Sequence, residues 1–172
     1  GFVYSFWPDV LTLKEIGDGA FLGCEKLSTI TIPESVSSIG DYTFAYCIEL
    51  DTVVLPSTVE RIGLYTFAGC EWLETINLEY IKEVSDYAFT SCVYLENVNL
   101  TSVETIGEAA FMNCVSLSSI SDIPNTVTTI AYSTFEGCTA LTTITLPTAL
   151  TAIGSSAFKG CSTLNGITIP NT

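Results

Sequence analysis

The chain has 172 residues, 48% of them hydrophobic, with 12 glycines and 6 prolines; this suits a folded chain and argues against disorder. Nineteen acidic and five basic residues give a formal net charge of −14, which repels phosphate backbones and anionic headgroups and disfavours nucleic acid and membrane surfaces as partners. Histidine is absent, which removes histidine triads, histidine general bases and histidine metal ligands. The charge is uneven: residues 1–108 hold 17 acids and 4 bases, whereas residues 109–172 hold only Asp122, Glu136 and Lys159. A solvated surface is the plain reading of that imbalance, and a site for a cationic partner is the alternative. With no uninterrupted apolar run of about 20 residues, no membrane-spanning helix is expected.

Along the chain, Trp7-Pro8 reads as a degenerate strand end ahead of the first corner. One unit then returns again and again. Cysteines stand at 24, 47, 70, 92, 114, 138 and 161, spaced by 23, 23, 22, 22, 24 and 23 residues. Three residues before each is a phenylalanine: Phe21, Phe44, Phe67, Phe89, Phe111, Phe135 and Phe158. Three after each is a leucine, from Leu27 to Leu164, and six after each is Ile or Val, from Ile30 to Ile167. Such a fixed period marks a solenoid.

Within the unit, the apolar residues of the stretch Ile30-Thr31-Ile32 alternate, so they share one face of a strand. Pro33 follows and ends the strand, because proline cannot donate to a ladder. Val36 to Ile39 then turns a corner, and Gly40 behind it supplies freedom for a tight bend. The stretch Thr43-Phe44-Ala45-Tyr46-Cys47 has apolar residues three apart, which predicts a 3₁₀ or single-turn helix. Later copies depart in places. Glu79 and Thr101 stand where proline is expected, Ser85 and Ala131 where glycine is expected, and Asp122 is inserted before Ile123; slight shifts of register are expected there. The last copy stops in mid-unit at Ile169-Pro170-Asn171-Thr172. Solenoids need polar caps, so the natural protein is expected to continue. Because one unit cannot bury its own apolar edge, the units must stack, with strands of successive coils pairing in parallel at about 4.8 Å.

The unit, written L-x-x-[IV]-x-[IL]-P-x-x-V-x-x-I-G-x-x-[AT]-F-x-x-C, resembles the BspA-like leucine-rich repeat from about Lys14 to Pro170. The asparagine that ordinary leucine-rich repeats carry after the strand is missing, as in this shorter class. The resemblance implies a single α/β leucine-rich-repeat domain over residues 1–172, with a parallel concave sheet, short 3₁₀ or helical turns on the convex side, and about seven repeats.

Three features are candidate sites. The seven cysteines lie more than twenty residues apart, whereas zinc-ligand pairs sit two to four apart; no metal site is expected. Free, buried, inert thiols are the favoured reading, with one bridge between adjacent coils left open. The strand residues that point outward form an uncharged polar face that includes Thr29, Thr31, Thr75, Asn77, Asn97 and Asn99. Threonine is an ordinary filler of exposed strand positions, but solenoids also bind ligands on such faces. Aromatic residues gather in the second to fourth turns. Tyr42, Tyr65 and Tyr87 stand two before the phenylalanine, where later turns have Ala109, Ser133 and Ser156. Trp72 and Tyr94 stand two after the cysteine, where other turns have Lys26, Glu49, Ser116, Ala140 and Thr163. Exposed Tyr and Trp are enriched at binding hot spots; packing on a flank or on a neighbouring chain is the alternative. Asn99-Leu100-Thr101 is a sequon, placed on a strand where glycosylation is disfavoured. No P-loop, G-x-G-x-x-G or G-x-S-x-G motif is present, and no cofactor or catalytic residue is expected.

These residues describe an extended surface without catalytic groups. The family resemblance implies an extracellular or cell-surface protein that binds or adheres to a protein or glycan ligand. The alternatives are a structural spacer, self-associating through its ends or its aromatic cluster, and a repeat region joined to an enzyme domain outside this sequence.

Overall fold

A computed structural model describes residues 12–171; Trp7-Pro8 lies outside them. The chain winds a parallel β-solenoid of about six turns. Twelve short strands alternate along the described residues. The first six are β1 (Glu15–Ile16), β2 (Thr29–Thr31), β3 (Ser38–Ile39), β4 (Thr52–Val54), β5 (Arg61–Ile62) and β6 (Thr75–Ile76). The rest are β7 (Glu83–Val84), β8 (Asn97–Val98), β9 (Thr105–Ile106), β10 (Ser119–Ile120), β11 (Thr129–Ile130) and β12 (Ala152–Ile153).

The expected sheet is present: five parallel strands in the order β10-β8-β6-β4-β2. Its central residues stay aligned through Ile30, Val53, Ile76, Val98 and Ile120. Unit length varies without disturbing that register because the difference is taken up beyond the strand. In the 23-residue coils Val36 and Val59 donate to Pro33 and Pro56 across a turn. In the 22-residue coils the same turn closes from Ile81 to Leu78 and from Val103 to Leu100. The turn keeps its size but begins one residue earlier, on Leu78 and Leu100, so Glu79 and Thr101 do not simply replace proline. Beyond the inserted Asp122 the ladder lapses, and a single bridge, Thr143 to Gly166, continues the column.

The segment expected to be a mere corner is a second column of parallel pairing: β1-β3, β5-β7-β9 and β11-β12. Its glycines do not serve backbone freedom, since Gly40, Gly63, Gly107 and Gly154 are not among the residues with positive φ. They make room. A Cβ at Gly40 or Gly63 would fall 2.4 Å from Oδ1 of Asp18 or Asp41 in the preceding coil, and one at Gly107 would meet Asp86 Oδ1 at 2.4 Å. Each of these carboxylates accepts the next coil's backbone N–H just past the glycine, from Asp41, Leu64 and Glu108, all at 2.8 Å. Ser85 and Ala131 occur where the preceding coil carries Leu64 and Glu108 in place of aspartate.

The far side of each coil contains no α-helix or 3₁₀-helix among the described residues, which corrects the expected helical turns. The reason is a backbone that reverses hand. Ala45 and Cys47 donate to Tyr42 and Phe44 three residues back, as a 3₁₀ turn would. The intervening Tyr42, Phe44 and Tyr46 donate instead to Leu64, Thr66 and Ala68 of the next coil, at 2.7–2.9 Å. To face that coil, Tyr42 and Tyr46 take left-handed φ of 57° and 59°, which breaks a helical run. Half the amides on this side thus bind coil to coil.

Inside, the phenylalanines form a continuous stack. Six successive ring pairs from Phe21 to Phe158 lie 5.3–5.6 Å apart and within 13° of parallel. Seven such residues bound only six intervals, so the expected seven repeats come down to about six turns. Phe44, Phe67, Phe89, Phe111 and Phe135 are fully buried, each contributing about 1.5–3 kcal/mol by burial before entropy is subtracted. All seven cysteines are free. From Cys47 onward each thiol donates to the carbonyl of the preceding coil's phenylalanine, at 3.1–3.2 Å. Burial pushes Cys47 up to about 11 and Cys114 to about 12, and Cys70, Cys92 and Cys138 upward as well.

Two outcomes are expected. Gly63→Ala should cost about 1–3 kcal/mol by overpacking against Asp41, and pairing it with Asp41→Ala should recover part of that loss, read as non-additivity in denaturant melts. With iodoacetamide at pH 8, the exposed Cys24 should alkylate first, and Cys92 and Cys114 only as the chain unfolds, followed by mass spectrometry.

Candidate binding surfaces

Four surface features stand out. The first is the outer face of the five-stranded sheet. Thr29, Thr31, Thr75, Asn77, Asn97 and Asn99 are all exposed there, as expected. Two of them are occupied locally. Asn77 Oδ1 accepts the Glu79 N–H at 2.9 Å, and Asn99 Oδ1 accepts the N–H and hydroxyl of Thr101 at 3.1 and 2.8 Å. These are the two coils without proline. Where proline is lost an N–H appears at the strand end, and an asparagine two residues earlier satisfies it in an Asx turn. Asn77 and Asn99 therefore hold the backbone; the threonines and Asn97 leave the face free.

The second is the tyrosine ladder. Tyr42 stacks on Tyr65 at 5.0 Å and 11°, and Tyr65 on Tyr87 at 4.6 Å and 2°. The structure brings all three together, although nothing in their spacing alone required their rings to touch. Each sits at left-handed φ, between 53° and 58°, a conformation that strains a bulky residue by about 1–3 kcal/mol. Tyr46, not singled out from the sequence, lies beside the ladder against Gly69 and is well exposed. Partial burial, and then the neighbouring phenols, push the Tyr65 hydroxyl upward.

The third is an open groove on the second column, about 380 Å³, lined by residues that include Asp41, Arg61, Glu83 and Asp86. Its one cation is already engaged: Arg61 bonds Glu83 at 2.9 Å and Asp41 at 3.3 Å. Burial raises the Glu83 carboxyl, but hydrogen bonds from Arg61 and from Ser85, the latter 2.8 Å away, outweigh it and hold the group below its ordinary value. The groove stays net acidic, with its single cation shared between Glu83 and Asp41.

The fourth is a cleft of about 380 Å³ lined by Asp51, Trp72, Glu74 and Tyr94. It lies beside the strand entrance, on successive rungs. Trp72 N–H donates to Ile48 and Tyr94 N–H to Glu71, each in the preceding coil. The side chains remain in water, with Trp72 52% and Tyr94 54% exposed. Asp51 and Glu74 take equivalent positions one residue past Leu50 and Leu73, where other coils carry Ser28, Ser118, Thr142 and Asn165. Sequence reading found the two aromatics and missed the two acids, whose signal was the exception they make to that otherwise polar, uncharged column; Glu96 makes it too.

A parallel solenoid with leucine, phenylalanine and cysteine columns defines a leucine-rich-repeat protein. The chain belongs to the BspA-type leucine-rich repeat family, whose model matches six copies over residues 8–118 and 82–172. Its fold is that of a leucine-rich repeat protein of Treponema pallidum, at 30% identity and a TM-score of 0.82, covering 91% of this chain and 74% of that one. A leucine-rich cell surface protein of Faecalibacterium prausnitzii is 34% identical with a TM-score of 0.82, over 89% of this chain and 42% of its own. A leucine-rich repeat protein of Eubacterium ventriosum is 32% identical with a TM-score of 0.54, over 88% of this chain and 35% of its own. No curated protein matches. Repeat regions of this family are in general protein-interaction modules and not catalysts.

The division of labour on the sheet face can be measured. Asn99→Ala should lower stability by about 1 kcal/mol, leaving the Thr101 N–H without its acceptor, whereas Asn97→Ala should change it by less than about 0.5 kcal/mol; thermal melts of the two variants decide it.

Proposed function

We propose that this chain is a non-catalytic binding module, displayed outside the cell, that recognises a protein or glycan through its solenoid surface. One observation carries the reading: Trp72 and Tyr94 are held in solvent at positions that other coils fill with Lys26, Glu49, Ser116, Ala140 and Thr163. The fold does not need aromatics there, and large exposed aromatic faces are the side chains that dominate recognition sites. The exposed threonines of the five-stranded face and the half-exposed Tyr42–Tyr65–Tyr87 ladder offer further contact area on these and preceding coils. Cell-surface display is supported by the family and by the cell surface protein of Faecalibacterium prausnitzii that shares the fold.

The test is a Trp72→Ala/Tyr94→Ala variant assayed on arrays of extracellular-matrix proteins and glycans. The expected result is at least a tenfold loss of binding with the melting temperature shifted by no more than about 2 °C. Collapse of the melting temperature would make both residues structural. Self-association that depends on Trp72, seen by size exclusion at several concentrations, would favour a spacer that assembles with its own copies.

A further inference from the structure

The cleft between Trp72 and Tyr94 differs from the groove around Arg61 in having no cation in its lining. Asp51 and Glu74 place two carboxylates against two aromatic side chains. Among the described residues the ion pairs are Lys26–Glu49, Arg61 with Asp41 and Glu83, Lys82–Glu60 and Lys159–Glu136. None reaches Asp51 or Glu74. Asp51 Oδ1 is moreover buried without a hydrogen-bond partner. A carboxylate with one oxygen already cut off from water and from any donor keeps its charge poorly compensated, and its outer oxygen then attracts a donor or cation more strongly.

The chemistry of the lining selects among ligands. An anion is repelled. A neutral sugar could lie on the rings, but beyond the Trp72 indole N–H and the Tyr94 hydroxyl the lining side chains have only acceptors to offer, and the charge of the two carboxylates would stay uncompensated. A planar cation satisfies both parts of the cleft at once. The negative face of an indole attracts a guanidinium stacked on it, and carboxylates accept its N–H groups in pairs. The wider field points the same way, since residues 1–108 carry 17 acids against 4 bases and would draw a basic partner toward this half of the solenoid.

We propose that this cleft receives an arginine side chain of a basic polypeptide partner, with the guanidinium on the face of Trp72 and its N–H groups shared between Asp51 and Glu74. The proposal rests on the binding-module reading and names the chemistry of its partner. Tyr94 closes the opposite side and lines the aliphatic stem of the arginine. Specificity for arginine over lysine follows, because an ammonium is a compact point charge that can neither stack nor pair in a plane.

The test titrates the chain with a tetra-arginine amide peptide by isothermal calorimetry in 50 mM and 500 mM salt. Tetra-lysine amide, phosphocholine and maltohexaose are the comparison probes. The expected result is saturable binding of tetra-arginine, at least fivefold tighter than tetra-lysine. Asp51→Asn/Glu74→Gln should weaken it tenfold or more. Glu104→Gln/Glu108→Gln removes the same charge outside the cleft and should weaken it no more than about twofold. Equal loss in the two double variants would mean diffuse attraction to an acidic surface and would overturn the site. So would absence of tetra-arginine binding, or preferential binding of phosphocholine or maltohexaose. In the sugar case the binding-module reading would survive while its basic partner would not. A variant that melts early is replaced by Trp72→Phe, which keeps an aromatic face and should retain part of the arginine preference.

Discussion

No coil of this solenoid can cover its own apolar edge, so each must be covered by the next. That constraint is met by matching groups at one height in successive coils: ring on ring along the phenylalanine column, thiol to phenylalanine carbonyl, aspartate to the amide beyond the next glycine, and every second amide on the turn side to the coil ahead. These contacts run along the axis and fill the interior. Stability in such an array is a sum of neighbour terms, and a change in one coil is felt chiefly by the two that flank it.

The same constraint separates what is free to vary from what is not. Interior positions are tied to both neighbours at once. Outward positions touch little, and there the coils differ most: threonine, asparagine or serine on the sheet, tyrosine or serine at the left-handed turn, lysine, tryptophan or alanine after the cysteine. In the proposed reading, binding character therefore arises from exceptions to the repeat. The acids Asp51 and Glu74 and the aromatics Trp72 and Tyr94 are exceptions on adjacent rungs, and stacking places them around one cleft. The left-handed tyrosines are another set, where the coils accept backbone strain that glycine or asparagine would relieve, in exchange for a stacked ring ladder.

Variation in coil length is handled by a related device. The main sheet keeps its alignment from Thr29 to Ile120 while units change between 22 and 23 residues. Slippage by one residue would turn every inward side chain outward, so the adjustment falls in the turn after the strand. Asparagine at 77 and 99 then caps the amide that proline would have removed. Two exposed residues expected on the recognition face thereby also hold the turn.

The sequence by itself determined the class of fold, the columns of the core and the parallel pairing of the main strand, because those follow from a period of 22–24 residues and from the alternation of apolar side chains within it. It also marked the exposed aromatics, since a residue that breaks a seven-fold pattern is visible as a letter. The second column of strands, the reversal of backbone hand that replaced the expected helical turns, the carboxylate seated where a glycine Cβ would be, and the joining of Asp51 and Glu74 to Trp72 and Tyr94 were decided only in the tertiary structure. Each depends on distances of a few ångströms between residues about 23 positions apart, and such closeness is a property of how coils stack, which a repeat written along one line does not contain.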